Sequence, residues 1–229
     1  MKDSEDMSYQ IAIDGPAGAG KSTIAKEIAK RLGWIYADTG AMYRAMALYF
    51  IRNNIDADDE SAINGALDDI DISISYTENG QQVNLNGENV NPFIRTEQVS
   101  AMTSQVSAYP AVREKLVKLQ RQLADEQNVV MDGRDIGTCV LPNAKVKIYL
   151  TASSAERARR RYLEYVEKGI ESDINEIEKE IIERDNRDMS REVSPLKKAD
   201  DAVLVDSSDM SIEEVINTII GIYKSKAEE

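Results

Sequence analysis

YQIAIDGPAGAGKST, residues 9–23, is the stretch whose reading decides the fold. Ile11, Ala12 and Ile13 form a short apolar run. The residues that follow, Gly15-Pro16-Ala17-Gly18-Ala19-Gly20-Lys21-Ser22 and then Thr23, fit the pattern G-x-x-x-x-G-K-[ST] between a strand and a helix. Small residues let successive backbone N–H groups face an anion, and the following helix starts with its positive dipole end at the same point. Lys21 adds an ammonium, and Ser22 is placed to offer its hydroxyl to a phosphate-bound Mg²⁺. A Gly-rich turn that binds nothing is the plain alternative, and the Lys and Ser in register argue against it.

Composition narrows the classes. The chain has 229 residues and a formal net charge of −13, which opposes general binding of nucleic-acid polymers, since that needs basic surface to displace counterions. An acidic protein that binds a nucleotide must concentrate its positive charge locally, so arginine clusters become informative. Cys139 is the single cysteine, which rules out an intramolecular disulfide and leads us to expect a reducing, cytoplasmic setting. No apolar run approaches a membrane span, and residues 1–8, acidic and polar, are expected to form a loose tail rather than a signal peptide. Histidine is absent, so neither an imidazole base nor imidazole metal ligation is available.

Outward from the loop, Ile24, Ile28 and Leu32 at helical spacing with Gly33 as a stop predict a helix over 21–32. A buried strand is expected over 34–37, then Asp38-Thr39-Gly40 and a helix over 41–54 whose start carries Tyr43 and Arg44. From Ile70 the period changes to two, with Asn79-Gly80 and Asn86-Gly87 as turns, so 70–91 reads as a three-stranded antiparallel meander. Helical segments are expected at about 58–69 and 96–108, and Pro110 opens another that carries Arg113 and runs to about 126.

Val129-Val130-Met131 is a second buried strand and ends in Asp132-Gly133-Arg134-Asp135. An Asp at that edge suits orientation toward Mg²⁺, and the Arg134 fork matches phosphate oxygens bidentately. A further strand is expected over 145–150. Ser153 or Ser154 can cap the helix that carries Arg157, Arg159, Arg160 and Arg161. Asp173 to Met189 reads as helix, and Arg184, Arg187, Asp188 and Arg191 fall at i, i+3, i+4 and i+7, on one face. A last strand over 202–205 precedes Ser211-Ile212-Glu213-Glu214, a capping box. Strands and helices alternate outside the meander, as a doubly wound parallel α/β sheet with helices on both faces requires.

Taken together, these stretches resemble the bacterial-type cytidylate kinase family of P-loop nucleoside monophosphate kinases: IDGPAGAGKST at 13–23, DTGAMYRAMAL at 38–48, SQVSAYPAVR at 104–113, DGRDIGT at 132–138, VKIYLTASSAERARRR at 146–161 and ERDNRDMSR at 183–191. The resemblance implies transfer of the γ-phosphoryl group of ATP to CMP or dCMP, with Mg²⁺, by a cytoplasmic monomer. It implies one kinase domain over 1–229, with a core at 9–57 and 127–229, a helical lid at about 153–172, and a CMP-binding subdomain at about 58–126. Gly15 to Thr23, with Arg157 and Arg161 from the lid, would bind ATP. Thr39, Tyr43, Arg44, Ser104, Arg113, Arg134, Asp135, Arg184, Asp188 and Arg191 would bind CMP. Lys21, Asp132, Arg134 and Arg191 would carry the catalysis. Ser22 departs from the Gly that many relatives carry after the loop lysine, so its Mg²⁺ contact rests on the loop pattern alone.

The chemistry is consistent with this. A monophosphate has a second pKa of about 6 and needs no general base at neutral pH. Cytosine presents an N4 amino donor, which Asp135 could accept while Arg113 donates to N3 or O2. The rivals are a P-loop kinase for another acceptor and a GTPase-type switch. The second lacks an Asn-Lys-x-Asp motif here.

Overall fold

The computed structural model describes residues 8–78 and 80–227. The expected tail, up to residue 7, and Asn79 of the first turn lie outside them. The described chain groups into two compact units, one up to Tyr36 and again from Ala124, the other from Ala37 to Leu123.

The first unit is built on a parallel sheet in the order β2-β6-β1-β7-β8. Its strands are β1 (Gln10–Asp14), β2 (Ile35–Asp38), whose last two residues count with the second unit, β6 (Val129–Gly133), β7 (Val146–Thr151) and β8 (Val203–Asp206). β1 lies between β6 and β7, with Ile13 opposite both Asp132 and Ile148. Ile11, Ile13, Val130, Ile148 and Leu150 are fully or almost fully buried, the near-continuous apolar runs that a doubly covered parallel sheet demands. α1 (Lys21–Leu32) and α8 (Ile212–Ala227) pack on the sheet through Ile24, Ile28, Val215, Ile216 and Ile219. Asp14 and Asp132 stand at the carboxyl ends of adjacent strands, where open α/β sheets bind ligands.

α6 (Ser154–Glu167) and α7 (Ile174–Met189) pack together through Ala158, Ile177 and Ile181, flanked by Tyr162 and Tyr165. Of the two serines able to cap α6, Ser153 does so, its Oγ accepting from the Glu156 N–H at 3.2 Å. The Ser211 capping box forms in both directions: Glu214 Oε2 accepts from Ser211 N–H at 2.8 Å, and Ser211 Oγ from Glu214 N–H at 3.3 Å.

In the second unit α2 (Thr39–Arg52) buries Met42, Met46 and Phe50 against the antiparallel sheet β3 (Ile72–Thr77), β4 (Gly80–Leu85) and β5 (Glu88–Asn89), which contributes Ile72, Val83 and Leu85. Asn86 and Gly87, at φ 48° and 84°, make the two-residue turn between β4 and β5 that their types favour. α3 (Glu60–Ala66), α4 (Glu97–Val106) and α5 (Pro110–Glu126) complete the element order. This unit starts earlier than the boundary expected near residue 58, because the apolar face of α2 belongs to the core that contains the meander.

Two further features bear on the site, the second against expectation. Residues Ile136–Val140 form one wide turn, in which the Asp135 carbonyl accepts from both Cys139 and Val140 N–H. α7 stops at Met189, so Arg191 lies past the helix, and Arg187 is exposed while Asp188 is buried. The side that α7 buries runs through Ile177, Ile181, Asp185 and Asp188 and turns Arg187 outward, so the four residues do not share one face.

Candidate functional site

The phosphate-type loop is shaped by sterics before chemistry. A Cβ on Gly15 would stand 1.9 Å from the Leu150 carbonyl oxygen, so only glycine fits where the loop leaves β1. Gly20, at φ 84°, makes the left-handed step into α1. Lys21, buried, folds back and donates from Nζ to the Pro16 carbonyl at 2.7 Å, across the loop. Burial, with the Arg134 guanidinium adding to it, brings its ammonium down from 10.5 to about 7 against the pull of Asp132 and Asp14.

Beside it, Ser22 Oγ donates to Asp132 Oδ2 at 2.9 Å, and Tyr36 Oη donates to Asp132 Oδ1 at 2.8 Å. Two hard oxygen donors thus meet at the loop. That set suits Mg²⁺, which takes one or two protein oxygens and keeps its remaining positions for water and phosphate. Among the described residues, no cluster of three or more Cys, Asp or Glu side chains stands ready to hold a metal by itself.

An arginine cluster lies in the same unit. Asp188, 2% exposed, accepts from Arg134 Nε at 2.9 Å and from Arg191 at 2.5 Å. Burial alone would raise its carboxyl, but Arg134 and Arg191 hold it below the ordinary value of 3.8. Arg184 is near enough to depress Lys21 as well. Lys21, Arg134, Arg184 and Arg191 therefore concentrate positive charge in an acidic chain, and Asp188 ties two of them, Arg134 and Arg191, to one carboxylate. Asp135 is buried at the head of the wide turn.

Asp14 was not singled out by sequence and proves central. Buried at the end of β1, it accepts from the Ile136 and Gly137 N–H groups, both at 2.7 Å, and so fixes the segment after Asp135. Burial pushes its carboxyl up to about 6, with Asp135 adding to that rise and the two backbone bonds and Lys21 opposing it. Its position directly before Gly15 was the available signal.

In the second unit Asp38 caps α2 by accepting from Ala41 N–H at 2.8 Å and pairs with Arg44 at 3.1 Å and Arg95 at 3.2 Å. The sequence marked Asp38 only as the end of a strand, and Arg95 was not marked at all. The Asp-Thr-Gly before an apolar helix is a cap signal, whereas Arg95 has none. Arg113, buried, donates to the Ser107 carbonyl at 3.3 Å and lies 5.6 Å from the Tyr43 ring centroid, so these two expected residues meet. Thr39 is buried at the start of α2, and Ser104 is half-buried on α4.

On α6 the arginines divide. Arg157 is buried and bonds to the loop itself, donating to the Ala17 carbonyl at 2.9 Å, and Arg160 donates to the Ser207 carbonyl at 2.7 Å. Arg161 is half-buried and Arg159 exposed.

A strand-loop-helix cradle carrying Lys21 and Ser22, an Asp on the neighbouring parallel strand and converging arginines define a P-loop phosphotransferase of the α/β class. The comparisons narrow this. The family model described as cytidylate kinase matches residues 11–225. A cytidylate kinase of Lactobacillus johnsonii is 52% identical over 217 residues, covering 95% of this chain and 94% of the relative. One of Carboxydothermus hydrogenoformans is 51% identical over 217 residues, covering 95% and 98%. The chain belongs to the cytidylate kinase family. Among solved structures, an uncharacterized protein from Eubacterium ventriosum shares the fold, with a TM-score of 0.51 at 13% identity, over 95% of this chain and 99% of that one.

Proposed function

We propose that this protein transfers the γ-phosphoryl group of ATP to CMP or dCMP, giving ADP and CDP or dCDP. The observation that carries the reading is the cationic cluster of Lys21, Arg134, Arg184 and Arg191 beside a phosphate loop, with Arg134 and Arg191 bound to Asp188, in a member of the cytidylate kinase family. An oxygen of the acceptor monophosphate attacks the γ-phosphorus. The bond from that phosphorus to the β,γ-bridging oxygen breaks, and ADP leaves with the bond's electron pair. The attacking oxygen is already largely ionised near pH 7, so the absence of histidine from the chain costs nothing.

The residues then act by position and charge. Gly15 to Thr23 cradle the donor phosphates, with Arg161 from α6 on the donor side. Lys21 stays with the transferring group, and Arg134 and Arg191 neutralise charge as it spreads over the equatorial oxygens. Ser22 and Asp132 would hold Mg²⁺, directly or through water, and the ion when bound screens the donor phosphates. Thr39, Tyr43, Arg44, Ser104, Arg113 and Asp135 are assigned to CMP, with Arg184 and Asp188 at the ribose. Asp135 accepting from cytosine N4 and Arg113 donating to N3 or O2 would select cytosine over uracil.

The protein is expected to act as a cytoplasmic monomer without nucleic-acid polymer or membrane. Among the described residues, no helix is long and apolar enough to cross a bilayer. The reading is tested by incubating the chain with ATP, Mg²⁺ and CMP and separating the products. Equimolar ADP and CDP support it; ADP with inorganic phosphate and no CDP would identify a hydrolase and overturn it.

A further inference from the structure

One buried ion pair grips the phosphate loop from outside the residues that line it. Asp185, on α7 between Arg184 and Asp188, is 6% exposed, and Arg157, on α6, is also 6% exposed. Arg157 Nη1 meets Asp185 Oδ2 at 2.6 Å. The same Nη1 donates to the Ala17 carbonyl at 2.9 Å, and Asp185 Oδ1 accepts from the Ala17 N–H at 3.3 Å. Arg157 Nε donates to the Ala152 carbonyl at 2.9 Å, which anchors the guanidinium to the chain just after β7. Both polar groups of Ala17 are therefore held by one charge pair, each charge supplied by a different helix. The loop also rests on the arginine stem, since a Cβ at Gly18 would lie 3.3 Å from Arg157 Cβ.

Burying two opposite charges gains little over a well-packed apolar pair, because desolvation offsets attraction, so its place against the loop calls for a geometric reason. The Ala17 N–H faces Asp185, which leaves the N–H groups from Gly18 onward as the ones the loop can turn toward phosphate oxygens. Fixing Ala17 sets the angle at which that series begins.

We infer that Asp185 is a positioning residue for the donor phosphates, acting through Ala17, and that Arg157 serves the donor site from beneath the loop as its partner rather than as a cation laid over ATP. This rests on the reading of the loop as the ATP site. The clamp also joins the loop to α7, which carries Arg184 and Asp188, so donor and acceptor residues share one support.

The experiment compares wild type, Asp185→Asn and Arg157→Lys in two measurements. In the ligand-free protein, hydrogen exchange at residues 15–20 should speed at least ten-fold in Asp185→Asn while the β1 and β6 amides stay unchanged. In steady-state kinetics the KM for ATP should rise about ten-fold with the KM for CMP within two-fold. Arg157→Lys keeps the charge but not the fork, and should show the same pattern more weakly; it also carries the test if Asp185→Asn does not fold. Loop exchange at the wild-type rate in a folded variant, or equal rises in both KM values, would overturn the inference. A wild-type chain that neither binds nor uses ATP would instead defeat the functional reading, and the exchange measurement would still report whether the clamp sets the loop.

Discussion

Lys21 should take up a proton when the donor site fills. Its pKa of about 7 follows from burial and from Arg134, and its Nζ donates to the Pro16 carbonyl at 2.7 Å. A group with that pKa is about 10% protonated at pH 8, half at pH 7 and about 90% at pH 6. Phosphate oxygens beside it restore the charged form toward its ordinary range. Binding of the β,γ-imido analogue of ATP with Mg²⁺ should therefore take up about 0.9 proton at pH 8, about 0.5 at pH 7 and about 0.1 at pH 6. Titration calorimetry in Tris and in HEPES, whose ionisation enthalpies differ, gives the proton count directly, and the count with Lys21→Met is the nucleotide's own share, to be subtracted. The linkage has a second face: the unfolded chain binds more protons than the folded one between about 7 and 10.5, so this group adds stability as pH rises across that window. Equal proton uptake by wild type and Lys21→Met at pH 8 would refute the reasoning.

Three further outcomes follow from the geometry. Gly15→Ala must move the loop away from the Leu150 carbonyl, 1.9 Å from the new Cβ, and should weaken analogue binding about 100-fold while costing about 1–3 kcal/mol in a denaturant melt. Asp188→Asn should cost about 3 kcal/mol or more, because Arg134 and Arg191 lose their shared carboxylate, and should cut kcat as well. Its depressed pKa stabilises above about 3.8 and is lost as pH falls through the folded value, so the variant should lack part of the wild-type acid transition. Asp135→Asn should lose most of the preference for CMP over UMP, read as a ratio of kcat/KM values; an unchanged ratio would remove Asp135 from base recognition.

What the sequence disclosed was local. The helix at 21–32 ends where Gly33 stops it, the meander shows its period of two, and Ser211 with Glu214 forms the capping box that its spacing promises. Lys21, Ser22 and Asp132 were readable because the loop pattern and a strand ending in Asp are short-range signals, though the Ser22–Asp132 bond joins residues 110 positions apart. Contacts between distant elements carried no such mark. Nothing in the sequence set Asp185 apart, and only folding places it under Ala17, 168 residues away. Asp14 read as the end of a strand until its carboxylate met the Ile136 and Gly137 amides. Arg187 failed the other way: spacing put it with Arg184 and Asp188, but the burial of Ile177 and Ile181 rotates it to solvent.

The central claim is best tested by ADP release with ATP and Mg²⁺ against CMP, dCMP, UMP, AMP and GMP side by side. The account predicts rapid turnover with CMP and dCMP and little with the other three. Preference for another monophosphate, or the same slow release with all five, would contradict it.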